Sequence, residues 1–257
     1  RGCGPGKEAG TKAACAYRLK GKYVADLFAG HGGVGHAVRA AGFNAKGWEL
    51  EHGVFGDLTR PCVRWRIKQD ANSKTILAAM LAPPCSSFSP ARDRTSVIRT
   101  RQFPRGIPDS QLSDRDKIKV KIGNDCADAA IDLIRCFHKN KLPWILENPH
   151  PSKIWYLEEY IRLLDDPDVI VVVADFCQFG AKWRKRTRFL CGNIEYGDLH
   201  RIRYLCTGKG QCSSTGKAHF QLTGSNNKGI PWTRVAQPYP YKLCHGLAHA
   251  LTAHVNF

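Results

Sequence analysis

The chain has 257 residues, 43% of them hydrophobic and 10% aromatic, which suffices for one α/β domain with an insertion or at most two small domains. Lys and Arg number 39 against 22 Asp and Glu, so the formal net charge of +17 predicts a polyanionic partner, with an anionic membrane surface as the alternative. No apolar run reaches the roughly 18–20 residues of a membrane span, and no signal-peptide pattern opens the chain.

The predicted elements begin after a glycine-rich basic arm over residues 1–20. A buried strand, KYVADLFAG, ends at the turn GHGGVG, and a helix with apolar residues at helical spacing continues to Gly42. FNAKGWEL predicts a second strand ending at Glu49, residues 61–71 a basic helix, and TILAAMLAP a third strand. Residues 86–117 carry six arginines and little apolar period, and a loop this long in a compact domain is usually functional or disordered.

Apolar residues then repeat every three or four positions and predict a core-facing helix: Ile118, Ile122, Cys126, Ala129, Leu133 and Phe137. PWILENP and VIVVVADF predict two strands with a helix around residues 155–164 between them, and RTRFLCGN predicts the last strand. Strands that alternate with helices predict an α/β fold with a mainly parallel, doubly wound sheet and helices on both faces. We expect this domain to span residues 21–195, with a small insertion at 196–236 and a returning helix at 237–257.

The chain contains eleven cysteines, and most of them stand singly inside apolar segments. Cys126 and Cys136 occur at helical spacing, and Cys177 follows a strand-like run. This usage is typical of reduced, buried thiols rather than of a secreted disulfide scaffold. We therefore expect an intracellular protein, located in the nucleus if the cell is eukaryotic.

The segment DLFAGHGGVG places glycines where a strand becomes a helix. Glycine lets a ligand approach the backbone, and a helix N-terminus offers free N–H groups. The spacing is neither GxGxxG nor that of a phosphate loop. Glu49, about twenty residues later at the end of the next strand, stands where an acid can bind ribose hydroxyls. Together these features predict an adenosine-containing cofactor.

Two further strand ends carry reactive side chains. Pro83 and Pro84 cannot continue a strand ladder, so Cys85 lies on a stiff turn, either as a nucleophile or as a packed thiol. Glu147 ends an apolar strand directly before a proline and would supply an acid at the same edge. The run FGAKWRKRTR is either a solvated basic face or the source of an arginine for this site.

The ordered motifs DLFAGHGGVG, PPC, ENP and FGAKWRKR resemble those of the DNA cytosine-5 methyltransferases over roughly residues 23–192. The resemblance implies a Rossmann-like methyltransferase sheet, S-adenosylmethionine as cofactor, and DNA as partner of a monomeric enzyme; the charge does not separate DNA from RNA. It also implies that Cys85 adds to C6 of a flipped-out cytosine and that Glu147 binds the N3/N4 edge. Arg184 and Arg186 complete the implied catalytic set, with Arg186 at O2.

The same resemblance implies two groups of binding residues. The cofactor-binding residues are Asp26, Phe28, Ala29, Gly30, Gly32, Gly33, Val34, Glu49, Leu50, Asp57 and Pro83. The nucleic-acid-binding residues, several of them in a segment similar in place to the family's mobile loop, are Ser87, Arg92, Arg94, Arg99, Arg101, Lys182 and Lys185. The alternatives are an RNA cytosine-5 methyltransferase and a catalytically silent nucleic-acid-binding protein with the same fold.

Residues 196–236 and the strand before them contain a set of metal-ligand side chains: Cys191, Cys206, Cys212 and His219, with His200 as a further candidate. Zinc favours four such ligands, but no CxxC pair is present, so unconnected thiols remain the alternative. A zinc ion would give shape to a segment with few apolar residues. Its lysines and aromatic residues would then form a small basic reader of nucleic acid.

Overall fold

A six-stranded sheet forms the centre of the structure, a computed structural model that describes residues 20–255. Its strands are β1 (Tyr23–Leu27), β2 (Ala45–Trp48), β3 (Ile76–Leu81), β4 (Trp144–Pro149), β5 (Val169–Asp175) and β6 (Arg186–Gly192). They lie in the order β2-β1-β3-β4-β6-β5, and β6 runs antiparallel to both neighbours whereas the other pairs are parallel. Apart from Lys20, the arm predicted for residues 1–20 lies outside the described residues.

Helices cover both faces of this sheet. The α-helices are α1 (Gly33–Ala40), α2 (Pro61–Asn72), α3 (Asp114–Lys139), α4 (Glu158–Leu164), α5 (Trp232–Val235) and α6 (Tyr241–Thr252). Short 3-10 helices span Leu50–Phe55, Pro90–Arg94, Asp109–Gln111, Lys153–Tyr156, Phe176–Phe179 and Tyr196–Arg201. One apolar core joins the sheet to α2, α3 and α4, and a second joins it to α1, α6 and the 3-10 helix Tyr196–Arg201. The predicted doubly wound α/β fold is confirmed.

Strands β1, β3, β4 and β5 are largely apolar because both faces of the sheet are covered there. In β1, Val24 enters the core beside α1 and α6, whereas Tyr23, Ala25 and Leu27 enter the core beside α2 and α3. Strands buried in this way appear in a sequence as continuous hydrophobic runs rather than alternating ones. Such runs are why these four strands could be predicted.

Helix α3 presents a different face from the predicted one over its first turns. Ile118 is 60% exposed and Ile122 is 52% exposed, so their predicted core positions are wrong. The side chain that is buried there is Val120, which packs with Ile98 and Leu112 of the preceding segment. The first turns of α3 thus pack against residues 86–112 and not against the sheet. For this reason the buried face of the helix is different there from its buried face after Cys126. From Cys126 onward the prediction is correct.

The long segment before α3 is folded. It contains two 3-10 helices, Pro90–Arg94 and Asp109–Gln111, and its own small apolar core. It approaches α3 closely at Gly123, where a Cβ would lie 2.1 Å from Ser87 Oγ. Only a residue without a side chain allows this contact. In this structure the segment is therefore an ordered cover on α3.

The segment after β6 begins as part of the main core. Leu199 and Ile202 are fully buried against α6, whereas Cys212 is the one buried residue between positions 207 and 235. The predicted boundaries at 195 and 236 stay a prediction. Each of the nine cysteines in the described part of the chain is a free thiol, as expected. Within residues 20–255 no helix has the length and apolarity that crossing a membrane requires.

Candidate active site

A cavity of about 350 Å³ opens at the carboxyl ends of β1, β3 and β4. In open α/β sheets this edge is where ligands bind. The cavity is lined by Asp26, Phe28, Ala29, Gly30, His31, Gly33, Val34, Glu49, Met80, Ala82, Pro83, Pro84, Cys85, Ser86, Glu147, Lys185, Gln237, Pro238 and Tyr239. The glycine turn, the PPC turn and Glu147, predicted from three separate motifs, thus meet in one cavity.

The glycine turn is held in an unusual backbone conformation. Phe28, Gly30 and Gly32 have φ angles of 56°, 52° and 64°, in the left-handed region that favours glycine. Asp26 fixes the turn from below, because its Oδ2 accepts a hydrogen bond of 2.9 Å from the N–H of Gly35 in α1. Burial raises the pKa of the Asp26 carboxyl to about 6, although this hydrogen bond opposes the shift.

Glu49 joins the end of β2 to the glycine turn. Its Oε2 accepts a hydrogen bond of 2.7 Å from Gly30 N–H, and its Oε1 accepts one of 3.1 Å from Leu50 N–H. Because each carboxylate oxygen has two lone pairs, both oxygens retain capacity for ligand hydroxyls. Glu49 lines the cavity as the sequence suggests.

Three residues predicted to bind the cofactor do not line this cavity. Leu50 is 66% exposed, at the start of a 3-10 helix. The Asp57 carboxylate accepts hydrogen bonds from the N–H and the hydroxyl of Thr59, at 2.9 and 2.6 Å. It therefore fixes the chain just before α2. Gly32 is the N-cap of α1 and acts through backbone shape.

Cys85 is positioned by the next strand of the sheet. The buried Asn148 side chain in β4 donates a hydrogen bond of 2.9 Å to the carbonyl of Pro83, which fixes the PPC turn. Burial raises the pKa of the Cys85 thiol above its ordinary value; Glu147 adds to this effect and Lys185 opposes it. The resting thiol is therefore protonated, and a nearby cation favours its ionisation.

Glu147 is almost completely buried beside Cys85. Its Oε2 accepts a hydrogen bond of 2.9 Å from the Tyr239 hydroxyl, whereas its buried Oε1 has no hydrogen-bond partner among residues 20–255. Burial raises the pKa of this carboxyl, and Lys185 and Tyr239 partly offset the shift. An unpaired buried oxygen is costly unless a ligand satisfies it. This oxygen is the strongest sign that the cavity binds a polar ligand.

The two arginines predicted for catalysis are held outside the cavity lining. Arg186 binds the buried carboxylate of Asp175 through Nε and Nη2, at 3.0 and 2.9 Å, and Arg184 Nε lies 3.3 Å from the same group. Lys185 lines the cavity instead. Successive side chains of an extended segment point to opposite sides. Because Arg184 and Arg186 bind Asp175 on one side, Lys185 between them points to the other side, into the cavity.

Tyr239 was not predicted from the sequence, and Lys185, predicted to bind nucleic acid, lines the cavity; its contact with nucleic acid stays a prediction. Tyr239 lies just before α6, between Pro238 and Pro240, and reaches Glu147 across 92 positions of sequence. A tyrosine fixed between two prolines was the available signal, but nothing local indicated its partner.

The residues predicted to bind nucleic acid divide by burial. Arg94, Arg101 and Lys182 are exposed. Arg92 forms an ion pair with Asp116. Arg99 and Ser87 are buried, so their predicted contact with nucleic acid is wrong.

Arg99 has a structural role instead. It donates hydrogen bonds to the carbonyls of Pro104 and Val120 at 2.6 and 2.9 Å, to Asn124 Oδ1 at 2.8 Å and to Ser87 Oγ at 3.2 Å. A guanidinium is suited to this, because it carries five donors in one plane.

A group of metal-ligand side chains lies beyond the carboxyl end of β5. Cys177, Cys206, Cys212 and His219 place one ligand atom each within 4.8 Å of one another. Three of these residues were predicted, but the predicted fourth, Cys191, is wrong. It lies in β6 opposite Ile145 and Ile170 and is buried in the sheet core. Cys177 takes its place because the 3-10 helix after β5 turns it toward the insertion.

Comparison with family models and with curated proteins finds no match for this chain. Several solved structures are similar to it at low identity. A prophage-encoded E. coli protein designated a DNA modification methyltransferase is 15% identical, with a TM-score of 0.43 over 72% of this chain and 51% of that one. The EhMeth methyltransferase of Entamoeba histolytica is 11% identical, with a TM-score of 0.38 over 80% and 60%.

The Dnmt2 methyltransferase of S. pombe is 14% identical, with a TM-score of 0.41 over 75% of this chain and 58% of that one. The chain therefore spans between half and three fifths of the length of these neighbours. TM-scores and identities this low say nothing about the activity of this chain. That activity has to be inferred from its own residues.

Proposed function

We propose that the protein transfers a methyl group from S-adenosylmethionine to C5 of cytosine in DNA. The observation that supports this most is the single cavity that contains both a glycine turn with Glu49 and a cysteine next to a buried glutamate. The glycine turn with Glu49 suits an adenosine-containing cofactor. The cysteine beside the buried glutamate, the second half of the cavity, suits covalent attack on a ring that needs a proton donor. A protein that only bound nucleic acid would have no chemical need for the second half.

The residues present fit the cofactor. Ala29, Gly30 and Gly33 bring backbone to the cavity with little side chain, and Glu49 offers acceptors for a ribose diol. Asp26 adds a second acidic group to the lining, which suits a positively charged sulfonium ligand. When bound, S-adenosylmethionine supplies an electrophilic methyl group.

Cys85 and Glu147 would act together on the cytosine. As the Cys85 sulfur bonds to C6, the C5–C6 π electrons shift toward C4 and charge collects on N3. Burial raises the pKa of the Glu147 carboxyl, which favours its protonated form, and the Tyr239 hydroxyl already occupies Oε2. We place the proton of this acid on the unpaired Oε1, from which its donation to N3 would leave C5 nucleophilic.

The same residues would complete the cycle. Once C5 carries the methyl group, water takes the C5 proton, the C5–C6 double bond re-forms, the Cys85 thiolate leaves, and N3 returns its proton to the Glu147 carboxylate. Lys185 favours the thiolate both before attack and after release, because it lowers the pKa of Cys85. The base must leave the duplex to reach this cavity, as in other enzymes that modify a base.

DNA is the proposed substrate because of charge and exposure. The formal charge of +17 provides a nonspecific attraction for phosphates. Arg94 and Arg101 are exposed on the segment that follows Cys85, and Lys182 is exposed just before Lys185. A monomeric, intracellular enzyme, nuclear in a eukaryotic cell, is part of this proposal.

Incubation with duplex DNA and methyl-labelled S-adenosylmethionine, followed by digestion to nucleosides, tests the reaction. We expect label in 5-methyldeoxycytidine, none with Cys85→Ser, and unchanged labelling with Cys62→Ser, which alters an exposed thiol. Labelling of RNA but not DNA would contradict the proposed substrate. Binding of DNA without label in either polymer would favour the catalytically silent alternative.

A further inference from the structure

The cluster of Cys177, Cys206, Cys212 and His219 has the composition and spacing of a structural metal site. Zinc is bound at about 2.3 Å by cysteine sulfur and about 2.0 Å by histidine nitrogen, so tetrahedral ligand atoms lie about 3.5–3.8 Å apart. Cys206 Sγ lies 3.6 Å from His219 Nε2, and the four ligand atoms all lie within 4.8 Å of one another. The separations need little adjustment to enclose an ion.

Hydrogen-bond donors surround the sulfur atoms. Gln178 Nε2 lies 3.5 Å from Cys177 Sγ and 3.6 Å from Cys212 Sγ. The N–H and hydroxyl of Ser213 lie 3.4 and 3.6 Å from Cys206 Sγ. Donors directed at sulfur stabilise thiolates and orient metal ligands, and they are not needed by thiols that merely fill space.

The surrounding segment has very little apolar core to hold its shape. Cys212 is the one buried residue from position 207 to 235, and the local core consists of Cys177, Cys206 and Cys212. The α-helix in this stretch, α5, has four residues. A segment that buries so little apolar surface needs a staple, and metal binding can supply the missing folding free energy.

We propose that these four side chains bind one structural Zn²⁺ ion and that this ion holds the segment 182–186 against the sheet. The donor set of three thiolates and one imidazole favours zinc over harder ions, and four protein ligands leave no open position for catalysis. The metal site itself does not depend on the proposed function. The effect of the metal site on the active-site cavity does rest on the proposed function, because that effect acts through Lys185, which lies in segment 182–186.

Backbone hydrogen bonds connect the ligands to segment 182–186. Phe176 N–H, adjacent to Cys177, donates to the carbonyl of Lys185 at 3.1 Å. Phe220 N–H, adjacent to His219, donates to the carbonyl of Lys182 at 2.9 Å.

Cys206 itself contributes two more bonds. Its carbonyl accepts from Arg184 Nη2 at 2.8 Å, and its N–H donates to Asp175 Oδ2 at 2.9 Å. Ordering three ligands therefore orders the donors and acceptors that position Lys185. Zinc would act on the cavity through these bonds, without contacting substrate.

Metal analysis of the purified full chain, without DNA or cofactor, tests the site independently of catalysis. We expect one zinc per chain, a loss of at least about fivefold in Cys212→Ser and Cys177→Ser, and full retention in Cys191→Ser. The last variant alters a buried thiol outside the cluster, so it controls for damage to the core. Metal-free wild-type protein, a disulfide among the three cysteines, or loss of zinc in Cys191→Ser alone would overturn the proposal.

Hydrogen exchange of the wild-type chain before and after chelation tests the connection to segment 182–186 without any variant. We expect the amides of Phe176, Cys206 and Phe220 to exchange at least about tenfold faster once zinc is removed. The amide of Gly35, bonded to Asp26 at the glycine turn, should be unaffected. Equal protection of the first three amides with and without zinc would show that the ion does not hold this segment.

Discussion

One carboxyl oxygen of Glu147 accepts a hydrogen bond and the other is unpaired among residues 20–255. This difference determines from which oxygen the acid could donate a proton. Tyr239 donates to Oε2, while Oε1 is buried without a partner in the described part of the chain. A neutral carboxyl carries its proton on one oxygen and accepts on the other. In the proposed function, Tyr239 would therefore act as a positioning residue for a proton on Oε1.

Tyr239→Phe tests this positioning role. The change removes the donor to Oε2, so we expect kcat for methyl transfer to fall about tenfold with little change in KM. The Tyr239 hydrogen bond lowers the pKa of Glu147, so its loss raises that pKa further. Because activity requires the protonated acid, the alkaline limb of the pH–rate profile should move to higher pH.

The matched control for Tyr239→Phe is Tyr241→Phe, two positions later in the chain. The Tyr241 side chain is 77% exposed and contacts the ring of His245. We expect its rate and pH profile to equal those of the wild type. An unchanged pH profile in Tyr239→Phe would argue against the positioning role even if the rate fell.

Lys185→Ala tests the electrostatics of the nucleophile. Burial places the pKa of Cys85 above its ordinary value, and Lys185 lowers it. A thiol reacts as its thiolate, so removal of this cation should slow alkylation of Cys85 by about threefold to tenfold near neutral pH. The midpoint of the alkylation rate against pH should shift upward.

Lys182→Ala provides the comparison, because its side chain is exposed in the same basic run. We expect it to leave the alkylation rate of Cys85 unchanged, as measured by mass spectrometry of the Cys85 peptide. Equal rates in Lys185→Ala and the wild type would mean that the lysine does not act on the thiol.

At the scale of elements, one buried arginine helps to attach the segment 86–112 to α3. Arg99 binds acceptors at Ser87, Pro104, Val120 and Asn124, and its guanidinium lies 3.9 Å from the centre of the Phe88 ring. Removing a buried donor leaves its acceptors without partners. The geometry of the turn that follows Cys85 therefore depends on a residue that contacts no substrate.

Arg99→Ala should lower the free energy of unfolding by about 3 kcal/mol or more, because several buried acceptors lose their donor at once. Urea unfolding measures this directly. Arg101→Ala, two positions later and exposed, should change the free energy of unfolding by less than about 0.5 kcal/mol. Equal stability of the two variants would contradict the buried role of Arg99.

The antiparallel strand β6 explains why two motifs distant in sequence share one site. It lies between β4 and β5, so the residues before it emerge beside the carboxyl end of β4. Glu147 and Lys185 meet for this reason. Asp175, at the end of β5, pairs with Arg186 across the same ladder and binds the arginines on either side of Lys185.

For the whole molecule, the sequence was sufficient to predict those features that depend on a local pattern of residues. Buried strands are continuous apolar runs, and glycine or proline ends them, so the strands, the glycine turn and the positions of Cys85 and Glu147 could be predicted. Contacts between side chains that are distant in sequence could not be predicted, because no local pattern indicates them. Asp175 binds Arg184 and Arg186 and so keeps both out of the cavity lining. Tyr239 donates a hydrogen bond to Glu147 from a distant part of the chain. Cys177, and not Cys191, joins the group of metal-ligand side chains.

The proposed function requires that Cys85 attacks cytosine in the same cavity that would bind S-adenosylmethionine. A DNA duplex with 5-fluorocytosine at its target tests it most directly, because the fluorine replaces the C5 proton whose loss releases the cysteine. With S-adenosylmethionine we predict a covalent complex, stable to denaturant, whose mass maps to the Cys85 peptide and carries one added methyl group. Cys85→Ser should form no complex, and an equivalent RNA should form none with the wild type. A wild-type protein that binds this DNA and S-adenosylmethionine yet forms no adduct would show that Cys85 is not the nucleophile of a cytosine-5 methyltransferase.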